Sequence, residues 1–75
     1  MAKKEVYTYE KPVKLGDKGT IVKGITSLLG KHGSTVKVTE VYHIGVRSAV
    51  MSFQKKNGLK VTGVVDKKTW MKLNK

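Results

Sequence analysis

The chain has 75 residues and no cysteine, with 16 Lys+Arg against 5 Asp+Glu for a formal net charge of +11. A chain of this length forms one domain with a thin core and leaves little room for a deep catalytic cleft. The missing cysteines exclude a disulfide framework or a thiolate metal site, and no apolar run approaches the roughly 18 residues of a membrane span.

The first twelve residues read as a charged lead-in or linker, and residues 13–75 as the domain. Val6, Tyr7 and Tyr9 would lie in this segment as a loose tail, with a short extended piece packed on the domain as the alternative. The start, Met1-Ala2-Lys3-Lys4-Glu5, has no apolar stretch and so does not read as a signal peptide. Pro12 lacks a backbone donor and biases Lys11 toward extended geometry, so regular helix is expected only after it.

Gly16-Asp17-Lys18-Gly19 is a turn. After it Ile21, Val22, Ile25, Leu28 and Leu29 fall on one helical face, which predicts a first helix from Thr20 to His32 ended by Gly30 and Gly33. The β-branched stretch with Val36, Val38 and Val41 reads as an extended loop or short strand. A second helical face follows in Val46, Ala49, Val50 and Phe53, and Asn57-Gly58 stops it, with Leu59 folding back. Lys60 to Val65 is extended again. Asp66 is a natural N-cap for a short third helix, Lys67 to Leu73, with Trp70 and Leu73 inward. Trp70 and Phe53 are expected in the core rather than as platforms for a sugar ring.

An internal echo accompanies this pattern. Lys37-Val38-Thr39-Glu40-Val41 is matched by Lys60-Val61-Thr62-Gly63-Val64, each leading into a helix. The expected fold is therefore all-α: a compact three-helix bundle with two extended loop connections and pseudo-symmetric loop–helix halves.

Three strings resemble one known family, the small three-helix peptidoglycan-binding domain appended to cell-wall hydrolases and phage endolysins. They are Gly16-Asp17-Lys18-Gly19 followed by Val22, Ile25 and Leu29; Ala49-Val50-x-x-Phe53-Gln54-x-x-Asn57-Gly58-Leu59; and Val61-Thr62-Gly63-Val64-Val65-Asp66-x-x-Thr69-Trp70-x-x-Leu73. The resemblance spans residues 13–73 and implies non-catalytic binding of bacterial peptidoglycan, through glycan or stem peptide, that anchors a catalytic domain of a parent protein to the wall. It further implies action at the bacterial cell wall or extracellular surface, which the absence of a signal peptide reconciles with a phage-encoded protein or an excised domain. Departures cluster in the first loop, where Thr39-Glu40-Val41-Tyr42-His43 replaces a pattern with two glycines. Thr26 also stands where the family has glutamine, and Val46 where it has threonine.

The candidate ligand-binding residues are Tyr42, His43, Arg47 and Gln54. Tyr42 and His43 precede the second helix, whose first amides are free to hold a carboxylate or carbonyl. Arg47 lies one turn along and offers a fork to a stem-peptide carboxylate. Gln54 follows Phe53 and either faces solvent, braces a loop or meets ligand. No catalytic residue is expected. His32 and His43 sit on different elements without metal spacing, no acidic pair suits glycoside hydrolysis, and Ser27, Ser34, Ser48 and Ser52 lack a nucleophile setting. No cofactor and no metal are expected.

The charge adds attraction to anionic wall polymers. Fifteen of the sixteen cations are lysines and Arg47 is the single arginine, a poor set for reading base edges. A basic helical nucleic-acid-binding domain is nonetheless the rival reading, with a structural module of a larger assembly as a third.

Overall fold

The computed structural model describes residues 9–75. Val6 and Tyr7 of the lead-in lie outside them. Three helices follow in order: α1 over Thr20–Lys31, α2 over Ile44–Lys56 and α3 over Lys67–Leu73. Among the described residues no strand forms. The extended connections contribute only two isolated antiparallel bridges, Val13 with Val65 and Lys18 with Val41. No helix among these residues is long and apolar enough to cross a membrane.

The helices lie where apolar period and capping chemistry put them. The periodic face of α1 becomes buried Val22, Ile25 and Leu29, that of α2 becomes Val46, Val50 and Phe53, and α3 contributes Trp70 and Leu73. Loop residues Val13, Tyr42 and Val65 complete this core, and α1 packs against both α2 and α3. Trp70 is 9% exposed and Phe53 6%, so both rings belong to the core. Tyr9 packs on the same core, its ring centroid 6.4 Å from that of Trp70.

The halves of the molecule repeat in detail. Both longer helices end in the same way: Ser34 N–H donates to Leu29 O at 3.0 Å after α1, and Leu59 N–H to Gln54 O at 2.8 Å after α2. Gly33 and Gly58 hold the positive φ that such an ending requires. Gly30, expected to share in stopping α1, is instead inside it, because the residue that must turn left-handed is the one three positions later. In the two echoed loops, Val41 N–H donates to Thr39 Oγ1 and Val64 N–H to Thr62 Oγ1, both at 3.1 Å. Each loop is also tied to the preceding helix by a buried polar side chain. Thr26 Oγ1 accepts Thr39 N–H at 3.1 Å, and Gln54 Oε1 accepts Thr62 N–H at 2.9 Å. Thr26 thus does for the first loop what Gln54 does for the second, with a shorter reach.

The start of the domain is laced to both loops. Val13 and Val65 exchange backbone bonds of 3.0 and 2.8 Å, Gly16 N–H donates to Tyr42 O, Tyr42 N–H to Asp17 O and Gly19 N–H to Glu40 O. Asp17 Oδ2 accepts Lys14 N–H at 3.0 Å and so fixes the turn before α1.

Candidate functional site

Three of the four residues singled out from sequence converge on Gly63. Tyr42 is 1% exposed, and its hydroxyl donates to Gly63 O at 2.6 Å. Gly63 N–H donates to Gln54 Oε1 at 3.0 Å. Above the glycine lies Arg47: a Cβ built on Gly63 would stand 3.0 Å from Arg47 Cγ and 3.1 Å from Nε, with Met51 Cγ at 3.3 Å. Gly63 has φ +76°, a region an L side chain rarely adopts, so backbone geometry and close approach together call for glycine here.

Gln54 is fully buried and saturated with partners. Its oxygen accepts from Thr62 N–H and Gly63 N–H. Its amide nitrogen lies 3.2 Å from Thr62 Oγ1, 2.9 Å from Val64 O and 3.0 Å from Thr69 Oγ1, so two hydrogens are shared among three acceptors. Of the roles open to Gln54, the loop brace is the one it fills. Tyr42 is likewise an internal tie, with its hydroxyl buried rather than at the surface. Burial pushes its phenol well above the ordinary value, the Arg47 cation pulls it back and Asp17 adds a further push upward. The phenol therefore stays a neutral donor.

His43 and Arg47 are exposed. His43 is the N-cap of α2, its Nδ1 accepting Gly45 N–H at 3.0 Å. In the neutral ring this places the proton on Nε2, facing away from the cap as a donor. Gly45 makes the fold-back possible, since a Cβ there would meet His43 Cε1 at 2.7 Å.

His43 also lines a cleft of about 640 Å³. One wall is the outer face of α2, where Gly45, Ser48, Ser52 and Lys56 follow at helical spacing; the other is the loop Gly33-Ser34-Thr35-Val36-Lys37. Leu29, Ala49 and Phe53 supply apolar surface, and His32 belongs to the lining as well. The His32 ring is pinned. Nε2 lies 2.9 Å from Leu73 O, to which it must donate, and the ring meets Phe53 edge-on at 5.1 Å between centroids. Arg47, Tyr42 and Gln54 are not part of the cleft lining. The structure thus divides the four predicted residues between the Gly63 cluster and the cleft, with His43 alone in the second.

Sequence reasoning missed most of this cleft. Ser48, Ser52 and Lys56 recur every four residues and Ser34, Thr35 and Lys37 are the polar residues at the start of the first loop, but neither pattern by itself says that the two face one another. Among the described residues no group of three His, Cys, Asp or Glu side chains is gathered that would hold a metal ion.

The comparisons with known proteins agree with this fold. The family model described as "Putative peptidoglycan binding domain" matches residues 18–73. The endolysin of Burkholderia phage AP3 superposes with a TM-score of 0.83 at 34% identity, over 87% of this chain and 25% of that one. A peptidoglycan-binding protein from Clostridioides difficile, solved in complex with glutamine hydroxamate, gives a TM-score of 0.81 at 35% identity over 84% of this chain and 40% of that one. The SleB N-terminal domain gives 0.85 at 32% identity, over 91% of this chain and 94% of its own length. This chain therefore spans a quarter to two fifths of the first two proteins but nearly all of the third. No curated protein matches the chain.

Proposed function

The chain belongs to the peptidoglycan-binding domain family, and on that premise we propose that it is a non-catalytic module that holds bacterial peptidoglycan and places an attached hydrolytic domain at the cell wall. The observation that carries this reading is the family match over residues 18–73, supported by the likeness to the SleB N-terminal domain over nearly its whole length. The segments that bear the family motifs also supply Ala49, Ser52, Phe53 and Lys56 to the cleft and Gln54 and Gly63 to the cluster around Gly63.

In this reading the contact surface runs from the cleft across His43 to Arg47. His43 offers its Nε2 proton to a carbonyl or carboxylate, and Arg47 offers a planar fork to a carboxylate. Tyr42 and Gln54 act as positioning residues: they fix Gly63, on which the Arg47 stem rests. Lysine side chains spread over the surface add a diffuse attraction to anionic wall polymers. That attraction raises the on-rate and the local concentration more than it raises specificity.

Co-sedimentation of the protein with insoluble sacculi, before and after acid extraction of wall polymers and at low and high salt, tests this. Retention on extracted sacculi at high salt is expected, with additional salt-sensitive binding to unextracted walls. Absence of retention on extracted sacculi would overturn the reading of a peptidoglycan site. A binding curve on unextracted walls that does not weaken with salt would remove the lysines from the account.

A further inference from the structure

The cleft between α2 and the first loop has a lining whose chemistry discriminates between the two halves of peptidoglycan. Its ionisable side chains are Lys37, Lys56, His32 and His43, and it contains no Asp, Glu, Asn or Gln. Ammonium groups donate only, so the side-chain acceptors left for sugar hydroxyls are chiefly the hydroxyls of Ser34, Thr35, Ser48 and Ser52. Carboxylates and side-chain amides, which would accept from sugar hydroxyls, are missing from these walls. No exposed Trp, Tyr or Phe ring for the apolar face of a pyranose lines the cleft either, since Phe53, the one such ring in the lining, is 6% exposed and lies edge-on to His32.

What the cleft does offer is an apolar strip, hydroxyls and separated positive charges. Ala49, Phe53 and Leu29 provide a surface for methyl groups, and Ser48 and Ser52 stand in a row on α2 with Lys56 one turn further. Lys37 comes from the opposite wall. The volume, about 640 Å³, falls within the range of about 300–1,000 Å³ usual for small-ligand sites. Short aliphatic side chains, amides that pair with hydroxyls and more than one carboxylate are the chemistry of a stem peptide.

We propose that this cleft recognises the carboxylate-bearing stem peptide of peptidoglycan and not the glycan, with Lys37 and Lys56 meeting its carboxylates from opposite walls. The proposal rests on the peptidoglycan-binding reading and narrows it to one ligand class and one place.

The test uses the whole chain, two probes and two variants. The probes are a synthetic stem tetrapeptide without sugar and glycan strands stripped of peptide by an amidase, with the lactyl carboxylates so freed converted to methyl amides. Each is titrated into isotopically labelled protein at physiological salt while amide shifts are followed. The peptide is expected to move cleft resonances such as Ser48, Ser52 and Lys37, and the stripped glycan to leave them in place. Lys37→Gln combined with Lys56→Gln is expected to weaken peptide binding about tenfold, the loss of two partly exposed charge pairs, while Lys75→Gln leaves it unchanged. Both sets of variants concern exposed side chains, and an unaltered melting temperature verifies that they fold. Shifts produced in the cleft by stripped glycan but not by peptide would overturn the proposal, as would a double variant that binds peptide like the parent. Either result with retention on intact sacculi preserved leaves the wall-binding function standing; loss of that retention in the parent chain would sink both.

Discussion

Gln54 and Gly63, nine positions apart, are joined by a buried hydrogen bond of 3.0 Å from the Gly63 N–H to the Gln54 side-chain oxygen. The same oxygen takes the Thr62 N–H at 2.9 Å. One side chain on α2 thereby satisfies two consecutive amides of a loop that has no strand partner for them. Buried amides must find acceptors somewhere, and here the acceptor is a glutamine that composition alone would assign to the surface.

Gln54→Leu keeps the volume and removes every polar partner. It strands Thr62 N–H and Gly63 N–H, so a stability loss of about 2–4 kcal/mol is expected. Thermal unfolding followed by circular dichroism would show this as a fall of roughly 10–25 °C. A fall of only a degree or two would mean that water replaces the amide and that the loop is not held as described.

Tyr42→Phe removes the hydroxyl that donates to Gly63 O, with an expected cost of about 1 kcal/mol near neutral pH. The pH dependence has a definite sign. Burial raises the folded-state phenol above its unfolded value, which is about 10. The stability that Tyr42 contributes is thus fully present below about pH 10 and is lost as pH rises from there through the folded value. Denaturant titrations at pH 8 and pH 11 should show the gap between parent and Tyr42→Phe narrowing at the higher pH. A gap that widens would contradict the burial of this phenol.

Arg47→Glu reverses the one guanidinium while leaving the core untouched. Retention on sacculi at high salt is expected to be lost. Stability should change by no more than about 0.5 kcal/mol, as for an ordinary surface substitution. Unchanged retention in the sedimentation assay would remove Arg47 from the contact surface and confine that surface to the cleft.

Asp66→Ala tests the last helix. Asp66 Oδ1 accepts Thr69 N–H at 2.9 Å, and α3 has only 7 residues with which to hold Trp70 and Leu73 in the core. A loss of about 1 kcal/mol is expected from the missing cap, and Asp66→Asn should recover most of it. Equal losses for both variants in chemical denaturation would show that the carboxylate acts through its charge and not as an acceptor.

The helices were legible in the sequence because their causes are local. Apolar side chains at three- and four-residue spacing, Asp66 before a short apolar run and Gly58 after Asn57 act within a turn of the positions they control. The expected third helix therefore coincides with α3, and the expected start of the first with that of α1. The echo of the two loops was legible for the same reason, since Thr39 and Thr62 each close a two-residue turn. What the four candidate site residues do was not. Tyr42 and Gln54 look alike in sequence to surface-facing polar groups, and only their distant partners Gly63, Val64 and Thr69 make them internal braces. The cleft depends on the same kind of relation. Ser48, Ser52 and Lys56 gain a wall opposite them when the ending of α1 sends Ser34 to Lys37 back across α2. Periodicity and capping determine which face of a helix is buried; which loop then lies against the remaining face is decided by packing among residues far apart in the chain.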